Sequence, residues 1–208
     1  MKLLIKRRLL KTLVLTLEFL AIGLIVFLLV SPLVPDWLYE LKHFSLTAQK
    51  KYQNIAEVKE ETEIIINHLP ANNYKDNSNR LIITKIGVNA PIVESADYRV
   101  GLNKGAWRDP RSSTPDQGSN MVVAGHRWKY LPPNNLTFYL LDKLTVGDII
   151  SVTWQQGDYY YRIKQTKIVD PTDLSILDPT ATTTITLYTC TPLYSMQHRL
   201  VVIAELVK

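Results

Sequence analysis

The chain has 208 residues, one cysteine and a formal charge of +5. Lys2, Lys6, Arg7, Arg8 and Lys11 all precede residue 12, with no acid among them, and the other 19 basic residues are matched by 19 acidic ones. The basic balance therefore belongs to a tail and argues against a nucleic-acid partner for the folded part. The 46% hydrophobic content, with charges of both signs, excludes a disordered chain.

Behind the tail, Thr12 to Val30 is apolar except for Glu18. Nineteen residues at about 1.5 Å each give roughly 28 Å, the thickness of a bilayer's hydrocarbon core. A cleaved signal peptide would carry small residues at a cleavage site, but Ser31-Pro32-Leu33-Val34-Pro35-Asp36-Trp37 has no such pattern. The expectation is an uncleaved anchor over 12–34, with the basic tail, 1–11, in the cytoplasm and everything from residue 35 outside. Trp37 and Tyr39 suit a membrane interface. A lone cysteine outside the cytoplasm has no internal disulfide partner, which leaves an intermolecular link or a reactive thiol.

Residues 35–80 read as an extracytoplasmic spacer. A helix is expected over 54–66, and the Pro- and Asn-rich stretch 70–80 is a linker by composition. From residue 81 the pattern changes to short strands between turns. Strands are expected at 81–86 and 90–94 around Gly87, then a helical turn or loop at 98–105 and a loop at 109–119. A buried strand follows at 121–124, a short helix at 136–144, and a hairpin of 149–154 with 159–169 about Gln155-Gln156-Gly157-Asp158. Residues 170–180 are a loop. Strands at 183–189 and 199–207 close the chain. Seven or eight short strands indicate a mainly β fold, a closed or nearly closed barrel with short helices. No Cys/His metal cluster and no phosphate-binding glycine loop is present, so neither metal nor cofactor is expected.

The last two strands are joined by Thr191 to His198, a loop opened by a proline that cannot extend a ladder. Pairing antiparallel, they bring Cys190 opposite Arg199 on one face of the sheet. A cation beside sulfur favours thiolate, the nucleophilic form. A lone cysteine is more often a small buried hydrophobe; its extracytoplasmic place and the facing arginine shift the reading towards chemistry.

The stretch from Leu81 to Val207 resembles the sortases, membrane-anchored cysteine transpeptidases of Gram-positive cell surfaces. The resemblance is carried by Thr186-Leu187-Tyr188-Thr189-Cys190, by Ala124-Gly125-His126-Arg127 after a strand, and by Arg199 opening the last strand. Ile86-Gly87-Val88, Ala90-Pro91-Ile92-Val93, Leu102 with Gly105, and Leu144 with Val146-Gly147-Asp148 add to it. Thr114 to Asn120 is looser than the family's Pro-Gly-x-x-Gly-Asn form. The loop from Thr191 to Arg199 is like that of pilus-type class C enzymes, yet no C-terminal membrane segment follows, so classes C, D and E stay open.

The resemblance implies a sortase-like barrel. It implies Cys190 as nucleophile on an LPxTG-like sorting signal, His126 as general acid and base, and Arg199 as oxyanion stabiliser. Thr189 is expected in the substrate groove or, as the plainer alternative, as a β-branched strand residue. The implied partners are sorting-signal proteins, an amine acceptor such as a lipid-linked wall precursor or a pilin, and the membrane. His198 adjoins Arg199 but alternation turns it to the other face. His43 and His68 fall in the spacer and carry no assigned chemistry. Arg127 is open between structural and substrate-facing roles. Tyr159-Tyr160-Tyr161 reads as strand packing, and Trp107, Trp128 and Trp154 as core or groove wall.

Two other readings compete. An L,D-transpeptidase also uses Cys, His and Arg, but its His and Cys lie close in sequence, whereas His126 and Cys190 are far apart. A catalytically silent, membrane-tethered peptide-binding barrel would have no need of all three side chains.

Overall fold

The computed structural model describes residues 2–31, 33–34, 36–41, 79–130, 134–155 and 157–207. Lys2–Val30 form a single helix, α1. Within it, Leu10–Val30 is a 21-residue stretch of mean hydropathy 2.8, long and apolar enough to cross a membrane. Its large side chains, Phe19, Leu20 and Leu29 among them, are exposed. A helix apolar on all sides is stable only in apolar surroundings.

Residues 36–41 are helical, and their Tyr39 packs against the core of the barrel. The Tyr39 hydroxyl donates to the Lys143 carbonyl at 3.0 Å, and Lys143 Nζ reaches Glu40 at 3.2 Å. The helix expected at 54–66, the linker before residue 79, His43 and His68 lie outside the described residues.

The rest is a barrel of eight strands: β1 (Arg80–Ile83), β2 (Val88–Glu94), β3 (Ala106–Arg108), β4 (Asn120–Ala124), β5 (Ile149–Trp154), β6 (Gly157–Val169), β7 (Thr184–Thr191) and β8 (His198–Leu206). The order around it is β1-β2-β3-β4-β7-β8-β6-β5, and β1 pairs with β5 to close it. Closure leaves no open sheet edge. Two pairs, β2–β3 and β4–β7, are parallel, and a short helix, α2 (Tyr98–Lys104), makes the first of these crossovers. Alternating residues fill the interior: Ile150, Val152 and Trp154 from β5, Ile185 and Leu187 from β7, Val202 and Ala204 from β8. Tyr161 is fully buried, as strand packing requires.

Four local expectations change. The strand expected over 81–86 ends at Ile83. Thr84–Ile86 form a 3-10 turn closed by Gly87, whose φ of 69° suits glycine. The helix expected over 136–144 is only a 3-10 turn at Leu141–Lys143. The Phe138 N–H donates instead to the His126 carbonyl at 2.8 Å, and its ring is fully buried, so the segment serves the barrel rather than its own helix. β3 had no counterpart in the sequence pattern; three residues between a glycine and a loop are too few to show a period. β7 runs through Thr191, so Cys190 lies inside the ladder.

Candidate active site

β7 lies between β4 and β8. On one side Cys190 pairs directly with Arg199 of β8. On the other, Ala124 of β4 is level with Tyr188 in a parallel pair. The ladder ends there, but the Gly125 N–H still bonds the Tyr188 carbonyl at 3.2 Å, so His126 follows directly where β4 leaves the side of β7. Cys190 thus has Arg199 directly across on β8, about 5 Å away between backbones, while the segment bearing His126 departs from the strand on its other side. Cys190, His126 and Arg199 all line one cavity of about 610 Å³.

The sequence builds this arrangement through small details. Leu187 and Thr189 turn inward and are almost completely buried, so Tyr188 and Cys190 turn outward to the cavity. β4 leaves the barrel at Gly125, where a Cβ would lie 2.6 Å from the Phe138 ring. The Gly125 N–H donates to the Tyr188 carbonyl at 3.2 Å, and Thr189 Oγ1 donates to the Gly125 carbonyl at 2.8 Å. Thr189 thus touches the cavity while its hydroxyl is engaged behind it, and the residue is only 2% exposed.

His126 is half-buried. Burial of the ring, and then the ammonium of Lys129, hold its pKa below the usual histidine range. Arg199 Nη1 donates to the carbonyls of Met196 and His198, both at 3.1 Å, and the guanidinium pairs with no carboxylate among the described residues. His198 lies off the cavity, its Nδ1 3.6 Å from Asp170. Arg127 is buried: Nε donates to the Tyr139 carbonyl at 3.0 Å and a second nitrogen to Asp142 at 2.7 Å, which braces the loop after His126. Trp107 and Trp128 line the cavity, whereas Trp154 is in the core.

The opposite wall comes from α2 and from the 170–180 connection, whose Leu174, Ile176 and Leu177 face the cavity. That wall is tied down by a residue the sequence reading passed over. Asn120 Nδ2 donates to the carbonyls of Ile176 and Asp178 at 2.9 and 3.0 Å, while Oδ1 accepts from Thr186 at 2.8 Å. One buried side chain fastens the wall to β4 and to the strand bearing Cys190. The ion pair of Asp109 and Arg111 at the cavity was also missed, because the loop reads only as rich in Pro, Ser and Asp. An Asp-Pro-Arg run carries no signal of which carboxylate is buried.

The family model for the Sortase domain matches residues 81–207, all of the barrel but Arg80. The chain belongs to the sortase family. Sortase D of Bacillus subtilis (strain 168) is 35% identical over 97 residues, which span 47% of this chain and 45% of that relative. Less than half of that relative's length is therefore matched. Among solved sortase structures, Sortase C2 of Group B Streptococcus Pilus Island 1 superposes with a TM-score of 0.56 at 32% identity, covering 62% of this chain and 73% of that one. A Sortase D5 transpeptidase of Clostridium perfringens gives a TM-score of 0.55 at 27% identity, covering 82% and 99%. This sortase is thus similar to relatives of both class C and class D.

Proposed function

We propose that this sortase is a cysteine transpeptidase that cleaves an LPxTG-like sorting signal and passes the acyl part to an amine. The Cys190 thiolate attacks the scissile carbonyl and forms a carbon–sulfur bond. The carbon–nitrogen bond breaks as His126, protonated, gives its proton to the departing amine. An incoming amine then attacks the thioester and loses a proton to His126. The new amide forms and the sulfur is released as thiolate. Arg199 exchanges its bonds to the Met196 and His198 carbonyls for the developing oxyanion, which no carboxylate competes for.

The observation that carries this reading is the register of three adjacent strands, with Cys190 directly opposite Arg199 and its other flank leading to His126. Thr189 serves the same site by holding the segment that bears the imidazole. α1 anchors the enzyme, and the basic residues before Thr12 keep its N-terminus in the cytoplasm, so the barrel meets sorting-signal proteins and a wall-precursor or pilin amine outside the cell. The test is incubation of the detergent-solubilised full chain with sorting peptides and amine acceptors, read by mass. A peptide–amine adduct is expected; intact peptide throughout the series would refute the proposal.

A further inference from the structure

The loop between β3 and β4 carries a second guanidinium to the cavity, one that the transfer chemistry does not use. The Arg111 side chain lines the cavity and is 64% exposed, whereas that of Asp109 is 2% exposed. Arg111 Nε donates to Asp109 Oδ1 at 3.0 Å and Nη2 to Oδ2 at 2.7 Å; the Arg111 backbone N–H adds a bond to Oδ1 at 2.9 Å. Burial pushes the Asp109 carboxyl up, but the bonds from Arg111 outweigh it and hold the group below the usual carboxylate range. A buried, ionised carboxylate therefore grips one edge of the guanidinium as a fork, and Nη1 takes no partner among the described residues.

The loop is already rigid. Arg108 Nη1 donates to the Ser112 carbonyl at 2.7 Å, Ser112 Oγ to the Asp109 carbonyl at 2.7 Å, and the Ser113 N–H to the Asn120 carbonyl at 2.9 Å. A guanidinium held in this way loses little further freedom on meeting a ligand. Its place along the groove follows from the strands: Arg108 is level with Val123 and Val123 with Leu187, and Arg111 lines the same cavity as Tyr188 and Cys190. Tyr188 precedes Cys190 by two residues on the same face, about 7 Å along the strand. With Arg111 paired to Asp109 and Arg127 to Asp142, the remaining charged side chains on the cavity, Lys129 and Arg199 against Asp173, still favour an anion.

We propose that Arg111, oriented by Asp109, forms a carboxylate subsite that reads an acidic side chain of the sorting peptide within about two residues of the scissile carbonyl. The identity of the peptide rests on the transpeptidase reading; the subsite itself does not. A carboxylate on the amine acceptor would present the same chemistry, and the test separates the two.

The test compares fluorescent peptides carrying Glu or Gln at each of the three positions on either side of the scissile bond. Binding is measured on the full-length Cys190→Ala protein, and turnover on the wild type with glycinamide or glycine as acceptor. At one position the Glu peptide is expected to bind about tenfold more tightly than its Gln counterpart. Arg111→Gln brings that ratio close to one. Should Arg111→Gln fail to fold over the buried Asp109, Arg111→Lys, which keeps the charge but loses the fork, is expected to cut the ratio at least about threefold. Selective binding without turnover would refute the transpeptidase reading and leave the subsite standing. Ratios within about twofold at every position, ratios indifferent to Arg111, or selectivity seen only for glycine over glycinamide would overturn the proposal.

Discussion

Thr189 Oγ1 donates to the carbonyl of Gly125 at 2.8 Å, so the residue before the cysteine is bonded to the residue before the histidine. The two are 64 positions apart in the chain. They meet because β4 and β7 run parallel side by side. The bond is buried, and it couples the place of His126 to the place of Cys190 without itself touching substrate.

Thr189→Val keeps the shape and removes the donor, leaving the Gly125 carbonyl unsatisfied. Such a loss costs about 1–3 kcal/mol. Denaturant unfolding is expected to show that drop, with Thr189→Ser recovering most of it. Transfer should slow through kcat more than through KM, since the groove walls stay in place. A Thr189→Val protein as stable and as active as the wild type would remove this bond from the account.

At Gly125 the constraint is steric. An added Cβ would meet the Phe138 ring at 2.6–2.7 Å, and that ring is fully enclosed. Gly125→Ala is expected to destabilise by about 1–3 kcal/mol, as other overpacked cores do. A second substitution, Phe138→Leu, should recover part of that loss. A fall in thermal midpoint for the single variant and partial recovery in the double variant is the pattern to look for.

Arg199→Ala is expected to slow peptide cleavage about a hundredfold, or roughly 3 kcal/mol, as loss of an oxyanion donor does elsewhere. The fold should be unaffected, because among the described residues the guanidinium binds only the two nearby carbonyls of Met196 and His198. Cleavage at the wild-type rate by a folded Arg199→Ala protein would contradict the oxyanion role.

The His126 pKa is lowered by burial first and by Lys129 second. Its NMR titration midpoint is therefore expected below about 6.5, and Lys129→Ala should move it part of the way back. Because the folded value lies below the unfolded one, the unfolded chain takes up the proton first as pH falls. The stability tied to neutral His126 is thus present above about 6.5 and is lost as pH falls through the lowered folded value. A midpoint at or above 6.5 would show that the ring is better solvated than its surroundings imply.

Much of this arrangement was legible in the chain. The apolar run ending at Val30 and the alternation of Ile150, Val152 and Trp154 are direct records of what each segment must face. The opposition of Cys190 and Arg199 follows from two consecutive strands pairing antiparallel, a local event. The flank towards His126 was not derivable in that way. β4 and β7 are joined only through β5 and β6, and a parallel pair between distant segments leaves no trace in periodicity; the family motif supplied it. The Asp109–Arg111 fork and the Asn120 tie were illegible for a related reason. Their roles depend on which polar groups the barrel buries, and burial of a loop residue is fixed by elements far away in sequence. The short helix expected at 136–144 failed because Phe138 gains more from the core than its segment gains from a local helical ladder.

The most direct test is to mix the full-length protein with a sorting peptide in the absence of any amine acceptor, quench in acid and weigh the intact protein. The account predicts a mass gain equal to the acyl part of the peptide, localised to Cys190, reversed by hydroxylamine and absent from Cys190→Ala. An adduct of that mass on Cys190→Ala, or peptide cleavage by that variant at the wild-type rate, would contradict the claim that this thiol carries the reaction.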